Sequence, residues 1–323
     1  MKRISLPSLA FIFVAFFCRT TVLCQTITLA DEPNEPGNVT SENTVDTPDS
    51  NEFETPETFE GAEPVFQTKK ASDYDLALQR HSIEIGPEMY SFTYKESGVK
   101  DKGVFYGGVL NYTYRWWVPP SANEPLLPGS VAFRAEFRYA TGNADYDGAL
   151  SDGTPYKIDD IDYDTFETRL MLGVDELNID WLASISTGVG YRYLTDDSSF
   201  DPYGYRRESN YIYIPVAYQL DGKFENNWAW GTKLEVDILA WGLQKSYLSD
   251  IGESDIENRQ RSGYGLRGSL RLQNRTKMGV LIIEPFIRYW NIDQSDFEYV
   301  SPSYYYEPKN NTTELGVQLL WRF

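Results

Sequence analysis

The sequence predicts an all-β fold: a single antiparallel transmembrane β-barrel of about ten strands over residues 78–323, preceded by a signal peptide and a disordered acidic arm. Three observations predict it. Long segments alternate apolar and polar residues with period two, which places the two sets on opposite faces of a strand. In three of those segments, 131–139, 179–193 and 228–242, the apolar face carries no charge. The chain also ends in such a segment, with Leu315, Val317, Leu319, Trp321 and Phe323 on one face and Gly316, Gln318 and Arg322 on the other; Leu320 is the exception.

The chain opens with Met1, Lys2 and Arg3 and then runs apolar from Leu9 to Cys18. A basic start and a short apolar core are the pattern of a secretory signal peptide, residues 1–24. The apolar run falls short of the ~20 residues a spanning helix needs. Val22 and Cys24 suit a cut before Gln25, while Thr28 and Ala30 suit one after Ala30. A lipoprotein cut at Cys24 is disfavoured by the bulky Leu23 before it. A cut before Gln25 removes both cysteines of the chain, Cys18 and Cys24, and so removes disulfides and thiol metal sites.

Residues 25–72 are rich in Pro, Thr, Asn, Glu and Asp, with no Lys or Arg between Arg19 and Lys69. Too little apolar surface is present to offset the entropy of ordering this stretch. It is expected to be a disordered acidic periplasmic arm, either a spacer or a tether. The net charge of the chain is −19, and about −22 once Lys2, Arg3 and Arg19 are removed. Such acidity argues against nucleic acid as a partner.

From residue 78 onward, ten strands are expected, at roughly 79–95, 103–117, 129–142, 160–175, 179–194, 207–221, 227–244, 262–275, 278–292 and 311–323. Tight turns are expected at Glu176–Asn178, Asp221–Asn226 and Arg275–Lys277, and longer loops near 143–159, 195–206, 245–261 and 293–310. Short turns at one end and long loops at the other match the periplasmic and external ends of a membrane barrel. The connection 118–128, with Pro119, Pro120 and Pro128, is long where parity calls for a short turn.

The apolar set of the fifth strand is Ile179, Trp181, Ala183, Ile185, Thr187, Val189, Tyr191 and Tyr193. In the third it is Val131, Phe133, Ala135, Phe137 and Tyr139. In the seventh it is Trp228, Trp230, Thr232, Leu234, Val236, Ile238, Ala240 and Gly242. None carries a charge, and a charge facing lipid near the midplane costs ~2–4 kcal/mol. A soluble sandwich also alternates, but its strands are mostly ~5–6 residues, whereas spanning takes ~9–11. Aromatic residues near strand ends, as at Tyr112, Tyr114, Trp116 and Trp117, suit the membrane interface.

If the apolar face meets lipid, the other face lines the lumen. It carries Glu84, Glu88, Arg115, Arg134, Glu136, Arg138, Glu167, Arg169, Arg192, Lys233, Glu235, Asp237, Arg267, Arg271, Glu284 and Arg288. Eight strands enclose room for side chains only, and ~16 leave a channel, so ten are expected to be nearly filled. Mixed charges there are expected to pair, because a buried unpaired charge is very costly.

Candidate chemistry is sparse. His81 is the only histidine and lies at the start of the first strand. Ser82 beside it points to the opposite face, so the two cannot form a nucleophile and base. The glycines at 188 and 190, and at 263, 265 and 268, lack the following helix that nucleotide motifs require. No cofactor is implied. The external acidic residues Asp145, Asp147, Asp159, Asp160, Asp162 and Asp164 could take divalent cations, shared with lipopolysaccharide phosphates.

The region 79–323 resembles Gram-negative outer-membrane β-barrel proteins of the broad porin-like or opacity-like type. The resemblance rests on the leader, the strand count, the Trp321–Arg322–Phe323 end, and the segments Arg207–Tyr211 and Glu284–Trp290. It implies an outer-membrane location in contact with lipid and lipopolysaccharide. It also implies that Trp321 and Phe323 are read by the barrel insertion machinery. No single activity follows. The leading expectation is a non-enzymatic barrel with an envelope-structural or surface-interaction role. A narrow pore comes second and an outer-membrane hydrolase third.

Overall fold

Alternating segments of this length have no stable solution as isolated ribbons, because each leaves two rows of backbone groups to satisfy. A sheet that closes on itself satisfies all of them. The computed structural model, which describes residues 79–118, 129–150, 153–177, 181–224, 226–301 and 303–323, shows this solution. The leader, the acidic arm, residues 119–128 and Ile179 lie outside the described residues.

Ten long strands build the wall: β1 (His81–Glu96), β2 (Val99–Val118), β3 (Gly129–Ala149), β4 (Pro155–Leu177), β5 (Trp181–Asp197), β6 (Arg206–Lys223), β7 (Trp228–Ser246), β9 (Gly263–Thr276), β10 (Gly279–Ile292) and β13 (Asn310–Arg322). Each pairs antiparallel with its neighbours in chain order, and β13 pairs with β1 to close the cylinder. Three short strands decorate the external end. β8 (Ile256–Gln260) extends the pairing of β7, and β11 (Glu298–Val300) and β12 (Ser303–Tyr305) form a separate hairpin.

The strand positions follow the alternation closely, but the external loops differ from expectation. Most of 143–159 is a continuation of the β3–β4 hairpin, with a bulge where Ala144 and Tyr146 face Ile161 and Ile158. Asp160 adopts φ 58° at this bulge, and its amide donates to Asp145 Oδ1 at 3.1 Å. The stretches 245–261 and 293–310 likewise contain structure: a 3-10 turn at Leu248–Ile251 with β8 in the first, and the β11–β12 hairpin in the second. Acidic composition masked the alternation of these segments. At the other end, Asn226 and Asn227 take φ 59° and 68° between β6 and β7. Asn tolerates this left-handed geometry, which matches the twist of a tight hairpin.

Besides Pro155, which opens β4, three prolines sit inside wall strands, and each coincides with a gap in one ladder. Pairing skips Gly86–Pro87 between β1 and β13, Ile214–Pro215 between β5 and β6, and Glu284–Pro285 between β9 and β10. Proline has no N–H to give, so it costs one ladder bond. The opposite ladder of each strand stays intact at that point.

The two faces separate as the alternation requires. Leu315, Val317, Leu319 and Phe323 are exposed on the outside, while Leu320, out of phase, is fully buried in the lumen. One face assignment changes. In β7, Gly242 faces inward and Trp241 outward, because a register shift opposite Ile212 and Tyr213 inserts one extra residue at Ala240. A bulge inverts the phase beyond it, and nothing in the local sequence marks its position.

Candidate functional site

The inward set of each strand meets in the lumen, where four levels follow one another from the periplasmic to the external end. At the periplasmic level, Arg115 Nε donates to Asp175 Oδ2 at 2.7 Å, and Arg134 shares the same carboxylate. Across from them, Glu84 accepts from Arg322 at 2.7 Å and from Arg271 at 2.8 Å; Arg271 also reaches Glu284 at 3.1 Å.

The second level is one continuous network. Arg169 bridges Glu136 and Glu235, and Lys233 reaches Glu136 at 3.0 Å. Arg267 binds Glu235 at 3.1 Å, Asp237 at 2.6 Å, and Glu167. Arg138 joins Glu167 at 3.3 Å to Glu314 at 2.8 Å and Glu88 at 3.4 Å. Arg288 spans Glu88 at 3.0 Å and Glu314 at 3.1 Å, and Arg192 completes the set on Glu314 at 3.2 Å. Six cations face six carboxylates, contributed by eight of the ten wall strands. The signs balance because each unpaired charge in this low-dielectric interior would cost several kcal/mol. Tyr213, from β6, donates its hydroxyl to Glu167 at 2.5 Å and ties in a ninth strand.

The third level is aromatic. Phe92 stacks on Phe105 with centroids 4.5 Å apart, and Tyr163 packs against both. Tyr90, Tyr94, Phe286 and Leu194 belong to the same cluster, with Ala140, Ala144, Ile158 and Ile161. Trp290 meets Tyr213 edge-on at 5.0 Å and receives Arg192 and Arg267 over its face. At the fourth level, Arg207 pairs with Asp196 at 3.0 Å and lies 3.7 Å from Asp101, which accepts from Tyr163 Oη at 2.6 Å. The loop before β13 enters here: Glu307 accepts from Tyr94 Oη at 3.2 Å. Burial pushes the Glu307 carboxyl up to about 7, against the pull of Arg207.

All the inward charges expected from the sequence lie in the lumen, and each contacts a partner there. Asp175, Glu314 and Arg322 belong with them and were missed. The signal existed, since Asp175 continues the phase of Glu167 and Arg169, and Glu314 that of Gln318. The aromatic level was missed for a different reason: Tyr90, Phe92 and Tyr94 share a face with Glu84 and Glu88, and a binary rule sends aromatics outward.

His81 lies on the outer surface at the periplasmic rim. Its Nδ1 is 2.8 Å from Tyr112 Oη, and its ring packs on Tyr114. Aromatic rings at this depth suit the interface. Among the described residues, no group of three or more His, Cys, Asp or Glu side chains is placed to hold a metal ion. The acidic residues of the β3–β4 hairpin instead take local partners: Asp147 takes Lys157, Asp162 takes Asn143 and Asp164 takes Tyr139.

The deciding observation is the exterior. Ile83, Ile85 and Met89 of β1, Leu170, Leu172 and Val174 of β4, Leu234, Val236 and Ile238 of β7, and Leu266, Leu270 and Leu272 of β9 are all exposed, while the charges that alternate with them, such as Glu84, Glu88, Arg169, Glu235, Asp237 and Arg271, are buried inside. Water would oppose this arrangement and acyl chains favour it. The chain folds as an outer-membrane β-barrel. Such a barrel spans with both chain ends and its short turns on one side, and its long hairpins on the other. Neither a described protein family nor a curated relative matches the sequence of this outer-membrane barrel. Solved structures it is similar to include Neisserial surface protein A (10% identity, 76% of this chain and 98% of that one, TM-score 0.33). Others are the translocator domain of the autotransporter NalP from Neisseria meningitidis (11%, 76% and 89%, TM-score 0.37) and the toluene transporter TodX of Pseudomonas putida (8%, 78% and 93%, TM-score 0.33).

Proposed function

We propose that this barrel is a closed, non-enzymatic scaffold that presents its external hairpins to partners at the cell surface. The observation that carries this reading is the packing of side chains in the lumen at two depths. A neutral twelve-residue ion-pair network joins strands across it at mid-depth, and buried aromatic rings cluster above. A conduit would keep a water path, whereas a scaffold gains rigidity from filling it. The presented surface is built rather than loose: β3 and β4 continue as a paired hairpin, and the β11–β12 hairpin carries Phe297, Tyr299, Tyr304 and Tyr306 as two exposed ring pairs. Exposed aromatics in such a position favour contact with another molecule. Lipopolysaccharide is the proposed immediate neighbour, with divalent cations shared between its phosphates and the acidic hairpin, and Trp321 and Phe323 are the proposed contact with the insertion machinery. The test is single-channel recording after reconstitution in a planar bilayer, with insertion verified by protease protection. The scaffold reading expects no stable openings of porin size; steady openings from the intact chain would replace it with the narrow-pore reading.

A further inference from the structure

Below the mid-depth network the lumen is not filled. A cavity of about 360 Å³ occupies the periplasmic half, bounded at its mouth by the β6–β7 turn with Phe224, Asn226, Asn227 and Trp228. Eleven cationic side chains but only five carboxylates line it. Five more carboxylates, Glu88, Asp175, Glu235, Asp237 and Glu314, pair with lining arginines from positions that do not face the cavity. The wall is therefore close to neutral as a whole, while its inner surface is cationic. This contrasts with the external end of the lumen, where Arg207 sits among Asp101, Asp196 and the approaching Glu307.

Sharing of carboxylates at the mouth produces the excess. Arg115 and Arg134 divide a single acceptor, Asp175. Arg134 is nine-tenths buried, lines the cavity, and keeps its Nη1 without a hydrogen-bond partner. The space for this head exists because Gly173 stands beside it: a Cβ there would lie 2.7 Å from Nη1. That nitrogen is closed to solvent and lies against the wall at Gly173, so Arg134 contributes to the cavity the positive charge of a guanidinium that shares its one carboxylate with Arg115. The amides of Asn111, Gln219, Gln273 and Gln318 line the same cavity, each with its nitrogen already donating once to a carboxylate, of Glu84, Asp221, Asp221 and Glu88 in turn.

We propose that this vestibule is a binding site for a small multivalent oxyanion from the periplasm, a compound with two or more phosphate or carboxylate groups. Guanidinium forks match the planar oxygen pairs of both groups. The volume lies at the lower end of the range of small-molecule sites, roughly 300–1,000 Å³, which favours a compact ligand over a polymer. The site lies below the mid-depth network, so it serves retention or sensing of the anion rather than passage.

The test is titration of the full chain in lipid nanodiscs with inorganic tripolyphosphate in one arm and citrate in the other. Binding is read by isothermal calorimetry and by the fluorescence change of single-tryptophan variants retaining Trp228, which lines the mouth. Saturable binding of either probe, weakening as salt rises, is expected, and the stronger arm identifies the group recognised. Arg134→Gln, which removes one positive charge from the cavity wall, should loosen binding about tenfold. Thr113→Glu, which adds a negative charge to the cavity wall without removing a network member, should weaken it similarly and covers the case in which Arg134→Gln does not fold. Arg261→Gln, in the exposed external pair with Asp296, should leave binding unchanged. Absence of saturable binding of both probes, or binding that Thr113→Glu leaves unaltered, would overturn the proposal.

Discussion

Glu314 of the mid-depth network is shared by three arginines, with Arg138 at 2.8 Å, Arg288 at 3.1 Å and Arg192 at 3.2 Å. It is essentially inaccessible to solvent, at 1% exposure. Glu314→Gln keeps the shape of the side chain and removes the charge. Six cations would then face five carboxylates, and Arg192 would lose its one ion-pair partner among the described residues. Breaking a buried pair from one side costs about 3–5 kcal/mol, because the remaining charge stays desolvated. Three arginines share the loss here, and Arg138 and Arg288 retain Glu88, so the lower part of that range is expected. Equilibrium urea unfolding in phospholipid micelles, followed by tryptophan fluorescence, reads the change. A second substitution, Arg192→Gln, restores the balance of charge, and the double variant should recover about 1–3 kcal/mol relative to additivity. A loss below about 1 kcal/mol with additive substitutions would show that water reaches these groups and that the network is not buried.

Two further outcomes follow from the structure. Glu307 sits in the loop before β13 with Tyr94, Glu96, Asp196 and Arg207 around it, and its carboxyl is raised from 4.5 to about 7. An acid raised in the folded state holds its proton longer there than in the released loop, so docking of the loop is favoured below about 4.5 and weakens as pH rises through 7; limited proteolysis within residues 293–309 should quicken between pH 5 and 8, and Glu307→Gln should abolish that dependence. Phe323 exchanges backbone bonds with Ile83, at 2.9 and 3.4 Å, where the cylinder closes. Phe323→Ala should lower the fraction of chain that assembles in cells, read by heat-modifiable migration on gels, while leaving unfolding of the assembled fraction within about 1 kcal/mol of the parent. Equal assembly would show that the terminal ring is not read.

Much of the fold was legible because the bilayer imposes one rule on every strand. Leu234, Val236 and Ile238 alternate with Glu235 and Asp237, and no other environment satisfies that row over so many residues. Where the wall crosses the bilayer, the strand positions followed from that rule. It stops where the bilayer stops. Beyond the membrane, Asp145, Asp147, Asp159 and Asp162 can face water from either side of a ribbon, so composition hid the β3–β4 extension. Within the lumen, Phe92 and Phe105 break the binary pattern because a narrow closed interior accepts rings as readily as ion pairs. The bulge at Ala240 is set by how β6 and β7 fit each other, and sequence spacing along one strand carries no record of it. The cationic vestibule was hidden as well: a near-neutral sum of lumen charges does not reveal which of them face empty space.

The most direct measurement is the accessibility of nitroxide side chains placed singly at residues 232–238 of β7 in reconstituted bilayers. Collision with oxygen, which concentrates in acyl chains, should peak at Leu234, Val236 and Ile238. Collision with a water-soluble nickel complex should stay low at those three, and both should be low at Glu235 and Asp237. Uniform access of the nickel complex to Leu234, Val236 and Ile238 would mean that the apolar face meets water or protein, and the membrane-spanning barrel would have to be abandoned.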